Sequence, residues 1–237
     1  MISIDFNKLI HSITYYLSYQ DGIGRDFMIN ESSLKYPVAD YLTGLEMPLA
    51  NIQLEFSHPT LKKRQIDLIT TDSSKKKIET VFEFKMAKPE TRYEPEQKRI
   101  FNDLMRLHLI AKVNVCSCYF IMIGTAEEFL QCFRSTIPKK LATQTIDKDD
   151  LPLPNGFYTE WFKFNVNDEK TFEVKDVKTI LENDYDKIYK AFLRDYRPKK
   201  RGESLVLPDK ITTKCIAISA LSREFPTPYV GGIWEIK

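Results

Sequence analysis

Ile66-Asp67-Leu68-Ile69 and Val81-Phe82-Glu83-Phe84-Lys85-Met86 decide how this chain folds. Each run is apolar enough to be a buried β-strand, yet together they carry two acids and a lysine. A carboxylate inside an apolar sheet is costly unless paired, and otherwise takes up a proton. Between the runs lies a polar turn, Asp72-Ser73-Ser74-Lys75-Lys76-Lys77. Placing Asp67 opposite Glu83 in an antiparallel hairpin centres the turn on residue 75, inside that segment. The same register sets Leu68 against Phe82, Ile66 against Phe84 and Ile69 against Val81, apolar against apolar throughout. Side chains alternate along a strand, so Glu83 and Lys85 share a face, and in this register Asp67 joins them. A slip of one residue sends Asp67 to the opposite face.

Two carboxylates and an ammonium on one face suit a divalent cation. Mg²⁺ binds through one or two carboxylates, keeps several waters and favours phosphate oxygens. A nearby lysine can orient an attacking water, so the set has the makings of a hydrolytic centre. The bland alternative is a structural ion pair within the sheet.

The surrounding sequence predicts a helix over residues 5–20 and a shorter one over 32–43, with Ser33 as N-cap ahead of Pro37. Strands follow at 51–56, 64–71 and 78–86. A long helix covers 94–111, with Ile100, Phe101, Leu104, Leu107 and Ala111 as its buried face. A strand at 115–123 and a helix from Thr125 through Phe133 complete the first part. Residues 136–156 read as a linker or long loop, 157–166 as strand-like, 174–196 as a helix, and 215–220 and 230–236 as closing strands. The expected division is a core at 1–135 and a C-terminal α+β extension at 136–237 packed on it.

A chain of 237 residues with 43% hydrophobic and 29% charged content is ordinary for a globular protein. A net charge of +2 excludes a protein that coats nucleic acid by bulk charge alone, so any such contact must be local. Cys116, Cys118, Cys132 and Cys215 form no CxxC pair and read as free thiols rather than zinc ligands. His11, His58 and His108 form no recognisable triad or metal spacing. There is no signal-peptide pattern and no stretch fit to span a bilayer, so a cytoplasmic protein without membrane contact is expected.

With the acid, the spacer and the acid-x-Lys in place, the chain resembles the PD-(D/E)xK nuclease superfamily. Asp67, fifteen intervening residues and Glu83-Phe84-Lys85 match its motif, although Ile66 rather than Pro precedes the acid. The αβββαβ order of that restriction-endonuclease-like core matches the elements read over residues 32–123. The resemblance covers about half the chain and rests on a short, degenerate motif. It implies an α/β fold with a mixed central sheet flanked by helices. It also implies hydrolysis of DNA phosphodiesters with Mg²⁺, or Mn²⁺ in its place. Asp67 and Glu83 would hold the metal, and Lys85 would position the water or stabilise charge at the phosphate.

Many members add a carboxylate from the helix before the first core strand. Glu31 is the candidate, with Asp40 and Glu46 as rivals; a helix-dipole role for Glu31 remains open. Gln97 and Lys98, in the first turns of the long helix, are candidate accessory groups. Asp103 and Arg106 read as an exposed i,i+3 ion pair on a solvated face. Candidate nucleic-acid contacts are Lys62, Lys63 and Arg64, and Lys199, Lys200 and Arg201; Lys75-Lys76-Lys77 and Lys139-Lys140 are further basic clusters, each with a bland surface reading. Double-strand cutting suggests a homodimer. RNA as substrate, a catalytically inactive nucleic-acid-binding or assembly module, and a purely structural hairpin are the alternatives.

Overall fold

The central hairpin forms where the apolar runs predict. In the computed structural model, which describes residues 3–87, 93–133, 159, 161–176, 185–200, 204–219 and 228–237, strands β2 (Gln65–Thr71) and β3 (Ile78–Met86) pair antiparallel. Leu68 faces Phe82, Ile69 faces Val81 and Thr70 faces Thr80, the expected register. Asp72 builds the turn: its Oδ1 accepts the N–H groups of Lys76 and Lys77, and Lys75 takes a left-handed φ of 57°.

Strand β1 (Ile52–Ser57) adds antiparallel to β2. Helix α3 (Tyr93–Asn114) then crosses over to β4 (Ser117–Thr125), which lies parallel to β3. Strands β5 (Glu169–Glu173), β6 (Lys210–Ile218) and β7 (Tyr229–Ile236) continue the same sheet, and β7 pairs antiparallel with β4. The result is an α/β fold on an open, mixed seven-stranded sheet of order β1-β2-β3-β4-β7-β6-β5.

Strand alternation divides the core in two. Leu68, Phe82, Phe84, Ile121 and Ile123 pack against α1 (Phe6–Gly22) and α2 (Lys35–Gly44). Ile69, Val81, Phe120 and Met122 pack on the other face against α3, α4 (Ala126–Phe133) and α5 (Tyr185–Asp195). Helix α4 starts on a reciprocal cap: Thr125 Oγ1 accepts the Glu128 N–H, and the Glu128 carboxylate accepts the Thr125 N–H.

Several expectations change. The cap before Pro37 is Asn30, which exchanges hydrogen bonds with Ser33 and opens a 3₁₀ turn, Glu31–Leu34, ahead of α2. Residues 161–166 are not a strand; Trp161, Phe162 and Phe164 fill the core from irregular chain, because packing against Trp234 and Phe133 places them without a ladder. Strand β5 escapes the reading because its burial is low and alternates with charged residues on an edge. The expected linker at 136–156 lies outside the described residues.

Candidate functional site

The hairpin ladder breaks at the acids. Regular pairing between β2 and β3 stops at Leu68–Phe82, and beyond it Phe84 N–H donates to Asp67 Oδ2 at 2.9 Å. On the other side of β2, Glu55 lies between the paired positions Leu54 and Phe56 and takes a φ of 52°. A non-glycine residue in that region is uncommon and stays there only where its surroundings hold it. Lys35, the first residue of α2, reaches this position: its Nζ ion-pairs with Glu55 and lies 3.1 Å from Asp67 Oδ1. Burial pulls the Lys35 ammonium down, but the hydrogen bond with Glu55 and the charge of Asp67 outweigh it and leave its pKa raised.

Alternation along β3 turns Glu83 and Lys85 toward α3. Lys85 Nζ lies 3.3 Å from Glu31 Oε2 and 3.8 Å from Asp103 Oδ2. Glu83 is 1% exposed, and its Oε2 accepts from Arg106 Nη2 at 2.8 Å. The same Nη2 donates to Asp103 Oδ1 at 2.7 Å, and Nη1 donates to Gln65 O at 3.2 Å. No donor among the described residues reaches the buried Glu83 Oε1, and the Glu83 carboxyl lies against that of Asp67.

Burial pushes Glu83 well above the usual carboxylate range; Arg106 opposes this, while the charges of Asp67 and Asp103 add to it. Glu31 is raised for the same leading reason, burial, with Lys85 opposing and Asp103 and Asp67 adding. Arg106 is held firmly protonated: burial disfavours its charge, but Glu83 and Asp103 more than compensate. Glu31 also lines a cleft of about 290 Å³ with Met86, Ala87, Thr125 and Tyr229, which opens this end of β3 to solvent.

His58 anchors the cluster from behind. Its Nε2–H donates to Arg106 O at 3.1 Å, and its Nδ1 accepts from Leu61 N–H at 3.1 Å. That fixes one tautomer of a fully buried neutral ring, and burial lowers its pKa to about 4.

Of the residues singled out from the sequence, Asp67, Glu83, Lys85 and Glu31 converge here. Asp40 and Glu46 are exposed. Lys98 turns to α5, where it pairs with Asp195 at 3.4 Å. The side chain of Gln97 lies outside the described residues, as do Arg201 and Lys139-Lys140. The expectation of an exposed Asp103–Arg106 pair is overturned: Asp103 is 8% exposed and both side chains enter the cluster. Asp103 falls on the same helical stripe as Ile100, Leu104 and Leu107, a signal of burial that the commonness of surface i,i+3 pairs masks. Lys35, Glu55 and His58 were not legible at all, because their role depends on contacts across the fold.

Among the described residues, no group of three or more His, Cys, Asp or Glu side chains is gathered closely enough to hold a metal ion. Cations stand between the acids instead. The donor chemistry of Asp67 and Glu83 still fits a hard cation. Two carboxylates are the number Mg²⁺ takes when water and phosphate supply the rest, and the Glu83 and Asp67 carboxyls lie side by side. No protein-family model, no curated protein and no solved structure matches the chain.

Proposed function

We propose that this chain is a divalent-metal-dependent nuclease that hydrolyses DNA phosphodiester bonds, of a restriction-like or defence type. The observation that carries the reading is the buried Glu83 carboxyl set directly against that of Asp67, with Lys85 on the same strand. Mg²⁺, or Mn²⁺, bound by Asp67 and Glu83 would polarise a phosphate oxygen and lower the pKa of water. Lys85 would hold the attacking water through its ammonium and balance charge at the phosphate. Glu31, 3.3 Å from Lys85, would orient that ammonium. Arg106 and Asp103 keep Glu83 in place from α3. Two copies of the chain would be needed to cut both strands, and the cytoplasm is the expected setting.

A second reading has its own support. Lys35, Lys85 and Arg106 each pair with acids of the cluster, which suits a nucleic-acid-binding or assembly module without catalysis. Incubating the protein with plasmid and with single-stranded DNA, with and without Mg²⁺, separates the two. Metal-dependent nicking that Lys85→Ala abolishes supports the nuclease. Wild-type cleavage that persists in EDTA, or Lys85→Ala cutting as fast as wild type, overturns it.

A further inference from the structure

Two basic segments far apart in sequence are one surface in the fold. Lys62 N–H donates to Arg197 O at 2.8 Å, and Lys199 N–H donates to Thr60 O at 2.7 Å. Between them Leu61 and Pro198 form an antiparallel bridge. Arg64 fastens the pair: its Nη2 donates to Asp195 O at 2.9 Å, and its guanidinium stacks 4.2 Å from the centre of the Tyr196 ring. The short ladder leaves Lys62, Lys63, Arg197, Lys199 and Lys200 exposed. Asp195, adjacent in the chain to the second segment, is held by Arg194 at 2.7 Å and Lys98 at 3.4 Å. The ladder is also tied to the carboxylate cluster. His58, at its base, donates to the backbone of Arg106, and the charge of Lys199 reaches His58.

We infer that this two-segment ladder is the docking surface for a nucleic-acid phosphate backbone, delivering it to the acid cluster; the inference rests on the nuclease reading for its substrate. Phosphate contacts supply most sequence-independent affinity and fix the register of the bound strand. A ladder held by main-chain bonds presents its cations from fixed backbone positions. An anionic membrane is the other polyanion to weigh, and it is disfavoured. Membrane surfaces are gripped by basic residues together with apolar ones. Among the described residues, none of the exposed large apolar side chains falls within 58–64 or 195–200.

The test is fluorescence anisotropy with labelled duplex and single-stranded DNA in EDTA, where cleavage plays no part. Lys62→Ala/Lys199→Ala removes one cation from each side of the ladder, and Lys75→Ala/Lys76→Ala at the β2–β3 turn serves as control. The ladder variant should bind about tenfold more weakly at moderate salt, with the log K against log [salt] slope shallower by about 2. The control variant should bind like wild type, and thermal unfolding should show all three proteins equally folded. Unchanged DNA binding by the folded ladder variant overturns the inference. So does an equal loss in the control, or a loss confined to phosphatidylserine vesicles. If wild type shows no metal-dependent cleavage yet the ladder variant loses binding, hydrolysis fails and the surface stands. If the ladder variant binds and cuts like wild type, the surface fails and hydrolysis stands.

Discussion

Arg106 and Glu83, on separate elements and 23 residues apart, meet at 2.8 Å inside the protein, and Asp103 shares the same guanidinium nitrogen. Removing Arg106 takes the charged donor from the buried Glu83 carboxyl and leaves that acceptor unsatisfied, a loss of about 1–3 kcal/mol. Arg106→Met should therefore lower the stability by that order in urea or thermal unfolding. Glu83→Gln/Arg106→Gln, which lets two amides hydrogen-bond each other, should lose distinctly less. Equal losses would show that the two residues are not coupled.

The raised pKa of Glu83 has a sign in the stability curve. The folded state holds a proton that the unfolded state releases near the ordinary value of 4.5. Folded protein thus binds more protons across the window from there up to the raised value, and stability falls as pH rises through it. Glu31 acts in the same direction. Glu83→Gln should flatten that decline, and denaturant melts at a series of pH values upward from 4.5 would read the change. An identical slope in the variant would show that Glu83 titrates normally.

His58 works in the opposite sense. Its folded pKa of about 4 lies below the ordinary 6.5, so the unfolded state takes up the proton first as pH falls. Stability is lost between those values, by roughly 3 kcal/mol at the acid end. His58→Asn removes the titration and keeps a side-chain acceptor in place. The variant should start from a pH-independent offset and lose less stability than wild type between pH 6.5 and 4. Parallel curves would contradict this origin.

Gly232 lets β7 sit against its own aromatic neighbour. A Cβ there would meet Trp234 Cζ3 at 2.9 Å and Cζ2 at 3.0 Å, and that ring is fully buried among Phe133 and Phe162. Gly232→Ala should cost about 1–3 kcal/mol by overpacking. Near-UV circular dichroism should report the displaced ring; a native spectrum with unchanged stability would show that the ring shifts freely.

Much of the fold is legible from local pattern. The hairpin register follows from apolar residues needing apolar partners on both faces, and Asp72 with its lysines marks the turn. The crossover helix and β4 announce themselves by period and length. The misreadings fall where pattern and environment part. Trp161, Phe162 and Phe164 look like a strand because they are apolar, yet packing rather than pairing holds them. β5 is an edge strand whose charged side chains conceal it.

The sequence by itself determined the α/β alternation, the pairing of β2 with β3, and that Glu83 and Lys85 share a face, because these depend on spacing along the chain. Only the tertiary structure decided which groups meet them. Lys35 clasps Asp67 from α2, Arg106 clasps Glu83 from α3, Glu31 reaches Lys85, and residues 58–64 meet 195–200. Those encounters are fixed by how helices lie on a sheet and how distant loops close over it. The charge state of each acid depends on that burial, which no local pattern encodes.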